Sequence, residues 1–90
     1  MPVIFTRAAV DSLAAIRFHI GQENPAAANR VAVQLVAACD RLEYLPERGR
    51  PGLKPGTREL VAIWPYVIVY RTTQSAVEIV NIWHGAQSRD

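Results

Sequence analysis

Cysteine is almost absent from this 90-residue chain, and Cys39 stands alone. A lone thiol closes no internal bridge, whereas secreted domains this small usually carry several disulfides. The expected compartment is therefore the reducing cytoplasm. Histidine is nearly as scarce. His19 and His84 lie far apart in the sequence, and with one cysteine they give no metal-ligand spacing. There is no glycine-rich phosphate loop. Ser12, Ser75 and Ser88 sit in no nucleophile-elbow context. The common cofactor enzymes are thus excluded, and no cofactor is expected. Long hydrophobic runs are missing too. The apolar stretches are strand-sized, well short of the roughly 20 residues that a membrane span needs. Thr6 and Arg7 follow the apolar opening at once, so no signal-peptide core is expected there.

Lysine occurs once, as Lys54, so nine of the ten basic residues are arginine. Arginine binds carboxylates and phosphates through a planar fork and stays charged near neutral pH. The net charge of +2 is mild, but its distribution is uneven. Through Leu45, four arginines balance four acids. From Pro46 to Arg58, Arg48, Arg50, Lys54 and Arg58 face Glu47 alone, a local +3. A basic, arginine-rich loop suits an acidic protein or a nucleic acid. Half of the residues are hydrophobic, enough for one domain over 1–90 to fold without disulfides or metal.

The chain reads as β-α-α-β-β-β. Residues Val3 to Thr6 suit a short strand. Thr6 can cap a helix from Arg7 to about Ile20, with Ala9, Leu13, Ile16 and Ile20 on one face. Gly21 is expected to end it in the left-handed conformation. Asn24-Pro25 restarts a helix, with the Asn as cap and the Pro at a position whose N–H would be unpaired anyway. That helix should reach about Leu45, with a stripe of Ala28, Val31, Leu35, Ala38, Leu42 and Leu45. The short connection makes the two helices an antiparallel hairpin. Pro46 to Gly56 carries three prolines and three glycines and reads as a loop. Strands follow at 58–64, 66–72 and 76–84. The middle one, Tyr66-Val67-Ile68-Val69-Tyr70, is apolar throughout and fits a central strand. In the last, Val77, Ile79, Asn81 and Trp83 should share one face. A helix hairpin on one face of an antiparallel sheet satisfies this order, an α+β fold.

Polar residues at the sheet edges are the candidates for chemistry: Glu47, Arg50, Arg58, Arg71, His84 and Arg89. RNA cleavage needs no cofactor. A base takes the 2′-hydroxyl proton, an acid protonates the leaving oxygen, and cations stabilise the phosphorane. The bland readings stand beside this one. Arg58 and Glu59 point to opposite faces and form no pair. Arg48 and Arg50 are expected to be solvated. Tyr66, Tyr70 and Trp83 read as packing residues, as does Cys39. His19 falls on the solvent side of the first helix.

The pieces A-x-x-D-S-L at 8–13, N-P-A-A-A at 24–28 and L-x-x-x-P-x-x-G-R at 42–50 recur in a known order. They continue with G-T-R-E-L at 56–60, P-Y-V-I-V-Y-R at 65–71 and I-W-H-G at 82–85. In order and spacing the chain resembles the RelE/ParE superfamily of toxin–antitoxin toxins over nearly its whole length. The resemblance implies the same fold and a cognate antitoxin in a hetero-oligomeric complex. The antitoxin would lie along the helix hairpin and sheet edge, its acidic side chains meeting some of the arginines. RelE-like members resemble ribosome-dependent mRNA endonucleases. For them, Glu47, Arg58 and His84 match a loop carboxylate, a strand arginine and a C-terminal histidine. ParE-like members resemble poisons of DNA gyrase without a catalytic site. The central stretch Tyr66-Val67-Ile68-Val69-Tyr70 has no arginine inside it, and no tyrosine follows Tyr70. The pattern therefore leans to the ParE side, with a ParD-like antitoxin. Arg48, Arg50, Arg58, Arg71 and Arg89 are then the target- or antitoxin-binding candidates. The alternatives are mRNA cleavage and a non-toxic member that only binds its antitoxin.

Overall fold

The computed structural model describes residues 1–85. Strand β1 (Val3–Phe5) leads into helix α1 (Arg7–Gly21) and then helix α2 (Pro25–Asp40). A single 3-10 turn, Arg41–Glu43, follows. Strands β2 (Arg50–Pro51), β3 (Arg58–Ile63), β4 (Tyr66–Thr72) and β5 (Val77–His84) come after it. They form one sheet in the order β1-β5-β4-β3-β2. The α+β reading and the helix hairpin hold, with two corrections to the sheet. Strand β1 joins β5 in parallel, so the sheet is mixed, not antiparallel. The basic loop also contributes a two-residue edge strand, β2.

Both helices start where their caps say they should. The Thr6 side chain accepts from the Ala9 amide at 3.2 Å, and the Asn24 side chain accepts from Ala27 at 3.0 Å. Each satisfies one of the orphan amides of a first turn. The ends differ from expectation. Gly21 belongs to α1, and among the described residues the one glycine with positive φ is Gly56, at 81°. Gly21 lies against Ala28, where a Cβ would make an ordinary contact at 3.6 Å, so neither a left-handed turn nor a close approach demands glycine there. Helix α2 stops at Asp40, and Leu45 is exposed, so only the part of its stripe through Leu42 is buried. Pro46 cannot continue a helix, and the preceding residue is pushed out of helical geometry.

The core lies between the hairpin and one sheet face. Ala9, Leu35, Ala38, Cys39 and Leu42 pack on Leu60, Ile68, Tyr70, Val77, Ile79 and Ile82. Strand β4 is central, as its uninterrupted apolar run requires.

Strand β5 does not alternate simply. Val69 pairs with Asn81, but Tyr70 pairs with Ile79, so Val80 is an extra residue, a β-bulge. The bulge shifts the phase of every later side chain. Ile82, not Trp83, joins the core with Val77 and Ile79, and Trp83 is only half-buried. Neighbouring side chains satisfy the groups that the bulge displaces. The Thr6 hydroxyl lies 2.9 Å from the carbonyls of both Ile79 and Val80. Asn81 Oδ1 accepts from the Ile82 amide at 2.8 Å and from the Ser12 hydroxyl.

Candidate functional site

The predicted residues fall at two ends of the sheet. At one end, the basic loop folds back over the start of β3. Tyr70 is fully buried, and its hydroxyl donates to Pro46 O and accepts from the Gly49 amide, both at 2.8 Å. Gly49 has no room for a side chain. A Cβ there would lie 2.8 Å from the Tyr70 ring and hydroxyl and 2.9 Å from Glu59 O. That contact gives the glycine of the P-x-x-G-R piece its physical reason. The Arg58 guanidinium donates to Gly49 O at 2.8 Å and to Glu47 O at 3.4 Å. Arg58 and the backbone of Glu47 are therefore brought together, while Glu47 and Arg48 are exposed.

Arg50 and Arg71 take carboxylate partners. Arg50 meets the buried Glu59 at 3.2 Å across the β2–β3 pairing. Its expected solvation is thus partial: one edge of the guanidinium neutralises an otherwise costly buried charge. Arg71 meets Glu78, its register partner on β5, at 2.7 Å. Arg58 turns to the loop carbonyls while Glu59 turns to Arg50, in line with their opposite faces. Arg89 lies outside the described residues.

His84 is at the other end. It pairs with Tyr66, and the two rings meet edge to face with centroids 5.6 Å apart. Arg58 pairs with Tyr70. Tyr66 and Tyr70 are four steps apart on β4, about 13 Å at a strand's rise per residue. The sheet therefore separates His84 from Arg58 and does not gather them around one point. His84 lines a cleft of about 700 Å³ with Ser12, His19, Glu23, Tyr66 and Trp83. A simple alternation of β5 hides this cleft, because the bulge turns His84 to the helix side. His19, expected to have no part in a site, is exposed and yet lines the same cleft.

Among the described residues, no group of three or more His, Cys, Asp or Glu could hold a metal ion, and no helix is long and apolar enough to cross a membrane. Cys39 is buried with a free thiol, and burial, followed by the nearby Asp40, pushes that thiol up to about 12. Such a thiol is a packing group rather than a nucleophile. The Tyr44 hydroxyl is raised by its hydrogen bond to Glu43, and the residue is exposed.

The family profile described as "ParE toxin of type II toxin-antitoxin system, parDE" matches residues 3–89. The chain belongs to the ParE toxin family. It is thus a toxin of the type II toxin–antitoxin class. Curated relatives agree at the level of the superfamily. "Toxin RelE2" of Caulobacter vibrioides is 48% identical over 86 residues, covering 94% of this chain and 96% of the relative. "Toxin RelE1" of the same organism is 41% identical over 71 residues, covering 76% and 75%. A solved chain from the "Chromosomal ParDE TA system from P. aeruginosa" superposes on this ParE-family toxin with a TM-score of 0.86. It is 27% identical, with 93% of this chain and 95% of that one covered.

Proposed function

We propose that this ParE-family toxin arrests growth in the cytoplasm by poisoning DNA gyrase, and that a ParD-like antitoxin encoded with it holds it inactive. The observation that carries this reading is the separation of Arg58 from His84. A general acid or base must come within hydrogen-bond reach of the proton that it moves, and the cations must face the same phosphate. Here the arginine and the histidine sit about 13 Å apart along β4, on the rise per residue of a strand. Arg58, Arg50 and Arg71 meanwhile bind carbonyls or carboxylates of their own chain. Such a surface acts by association. The loop presents exposed Arg48, Arg50 and Lys54 along one edge, cationic contacts for an acidic or phosphate-bearing target.

The relatives named RelE keep a second reading in play, a ribosome-dependent mRNA endonuclease using Glu47, Arg58 and His84. Purified toxin incubated with gyrase, ATP and supercoiled plasmid separates the two. Linear plasmid that forms with the toxin and disappears when the antitoxin is added is the expected result. No linear product from folded toxin, together with cut mRNA on translating ribosomes, would replace the gyrase reading. Neither activity would leave a member that only binds its antitoxin.

A further inference from the structure

The cleft of about 700 Å³ beside His84 differs in charge from the basic loop. Ser12, Ile16 and His19, at steps of four and three, form one wall along α1, and Glu23 follows just past the helix end. This is a different face of α1 from the one that borders α2, which carries Val10, Ala14 and Arg17. The end of β5 and the start of β4 form the other wall. The floor is apolar: Ile82 is buried, and Ile16 and Ile20 are half-buried. Tyr66 and His84 supply ring surface, their planes at 89° to one another. His19 and Glu23 are exposed at the rim.

Charge decides what fits. No arginine or lysine lines the cleft, and Glu23 is its one acid. A phosphate or a carboxylate would find no fixed cation there and would meet one like charge. The acidic side chains expected of the antitoxin are disfavoured for the same reason. A cation is favoured. Neither the Glu23 carboxylate nor the Tyr66 hydroxyl has a hydrogen-bond or ion-pair partner among the described residues. An apolar floor, ring walls and one carboxylate match a side chain with an apolar stem and a flat cationic head. Arginine is that side chain. Laid along the cleft, its methylenes cover the isoleucines, and its guanidinium lies against the rings and forks onto the carboxylate. Lysine has the stem, but its compact ammonium is strongly hydrated and does not stack. We infer that this cleft receives an arginine side chain from a basic segment of a partner protein, with Glu23 as its carboxylate and Tyr66 and His84 as its ring surface.

This contact does not rest on the gyrase reading. The cleft and the basic loop lie at opposite ends of the sheet, so plasmid cleavage and occupancy of the cleft can fail separately.

The test is a titration of the full chain, without antitoxin, followed by NMR. The probe is a capped glycine–serine pentapeptide with one central arginine. It should bind saturably in the millimolar range and shift the ring signals of Tyr66, Trp83 and His84, while those of Tyr44 stay in place. Lysine at the centre should bind about threefold more weakly, since it loses the stacking. Citrulline, which keeps the flat head without the charge, should bind about tenfold more weakly. Glu23→Gln should weaken the arginine peptide at least about threefold and leave the citrulline peptide unchanged. Glu23 is exposed, so circular dichroism should show a native fold. Tyr66→Leu, which keeps apolar bulk, should weaken the arginine peptide more than the lysine one. Free arginine should bind more weakly than the capped peptide, because its α-carboxylate adds a like charge near Glu23. An arginine peptide that gives no saturable shift at tens of millimolar overturns the inference. So does equal binding of arginine and citrulline, or a Glu23→Gln variant that binds like wild type. Free arginine that binds as tightly as the peptide would give the cleft to a small cation and overturn the partner. A response seen only in Arg89→Ala would give it to the chain's own C-terminal arginine, with the same consequence.

Discussion

The hydroxyl of Tyr70 lies where the basic loop crosses the core, 2.8 Å from both Pro46 O and the Gly49 amide. Tyr70 is fully buried, so a phenylalanine there would leave a donor and an acceptor unsatisfied. Tyr70→Phe should lower stability by about 1–3 kcal/mol, the cost of orphaning buried polar groups. Urea unfolding followed by fluorescence would measure it, and an unchanged midpoint would mean that water replaces the phenol. Cys39 makes a pH prediction. Its thiol is raised in the folded state to about 12 from the ordinary value of 9.0, chiefly by burial. The folded protein therefore holds a proton that the unfolded chain gives up first. That contribution is complete below pH 9 and is lost between there and about 12. Stability should fall in that window with a slope of roughly 1.4 kcal/mol per pH unit from this group. Cys39→Ala should lose that part of the slope while starting from a lower stability. Equal alkaline slopes in the two proteins would show that the thiol is accessible to water.

At the scale of elements, what was legible in the sequence was what local chemistry writes. Thr6 and Asn24-Pro25 mark both helix starts, because a capping oxygen beside an amphipathic run has few other uses. The apolar run in β4 marks the centre of the sheet. The bulge at Val80 was not legible. Nothing in Glu78-Ile79-Val80-Asn81 breaks an alternating pattern, yet one inserted residue reverses the roles of Ile82 and Trp83. The long-range partners that stabilise it, Thr6 and Ser12, come from about seventy residues upstream, and no local window contains them. The parallel β1–β5 pairing and the Arg50–Glu59 pair were hidden for a related reason, since both are made by tertiary pairing. Thr6 thus serves α1 and β5 together. Thr6→Val keeps the shape but removes both the cap and the bond to the bulge carbonyls. The loss should be about 1–2 kcal/mol, at the upper end for a helix cap. Hydrogen exchange should show α1 and β5 opening together. Faster exchange in α1 alone would mean that the bulge needs no hydroxyl.

The whole molecule sets the decisive comparison, because the two predicted parts of its site lie at opposite ends. The loop arginines and His84 were legible as candidates, but only the pairing of Arg58 with Tyr70 and of His84 with Tyr66 shows that β4 keeps them apart. In the gyrase reading, growth arrest depends on the loop edge. Arg48→Glu is the clean probe, since that residue is exposed and the loop's hydrogen bonds to β3 and β4 run through its neighbours. It should weaken arrest and reduce linear plasmid in the gyrase assay. Arg58→Ala should do the same, with a loss of stability because Gly49 O and Glu47 O lose their donor. His84→Gln should leave plasmid cleavage close to that of wild type, since in this reading the imidazole moves no proton and acts only through the structure that it supports. Thermal unfolding measured alongside separates that packing effect from function, because the imidazole meets Tyr66 edge to face. In the endonuclease reading the order reverses. His84→Gln should then lower mRNA cleavage by roughly a hundredfold or more, the scale of a lost general acid or base. Growth curves after induction without antitoxin report both. Arrest that survives His84→Gln and fails with Arg48→Glu supports association through the loop. Arrest abolished by His84→Gln in a fully folded protein would move the working surface to the cleft between α1 and the end of β5.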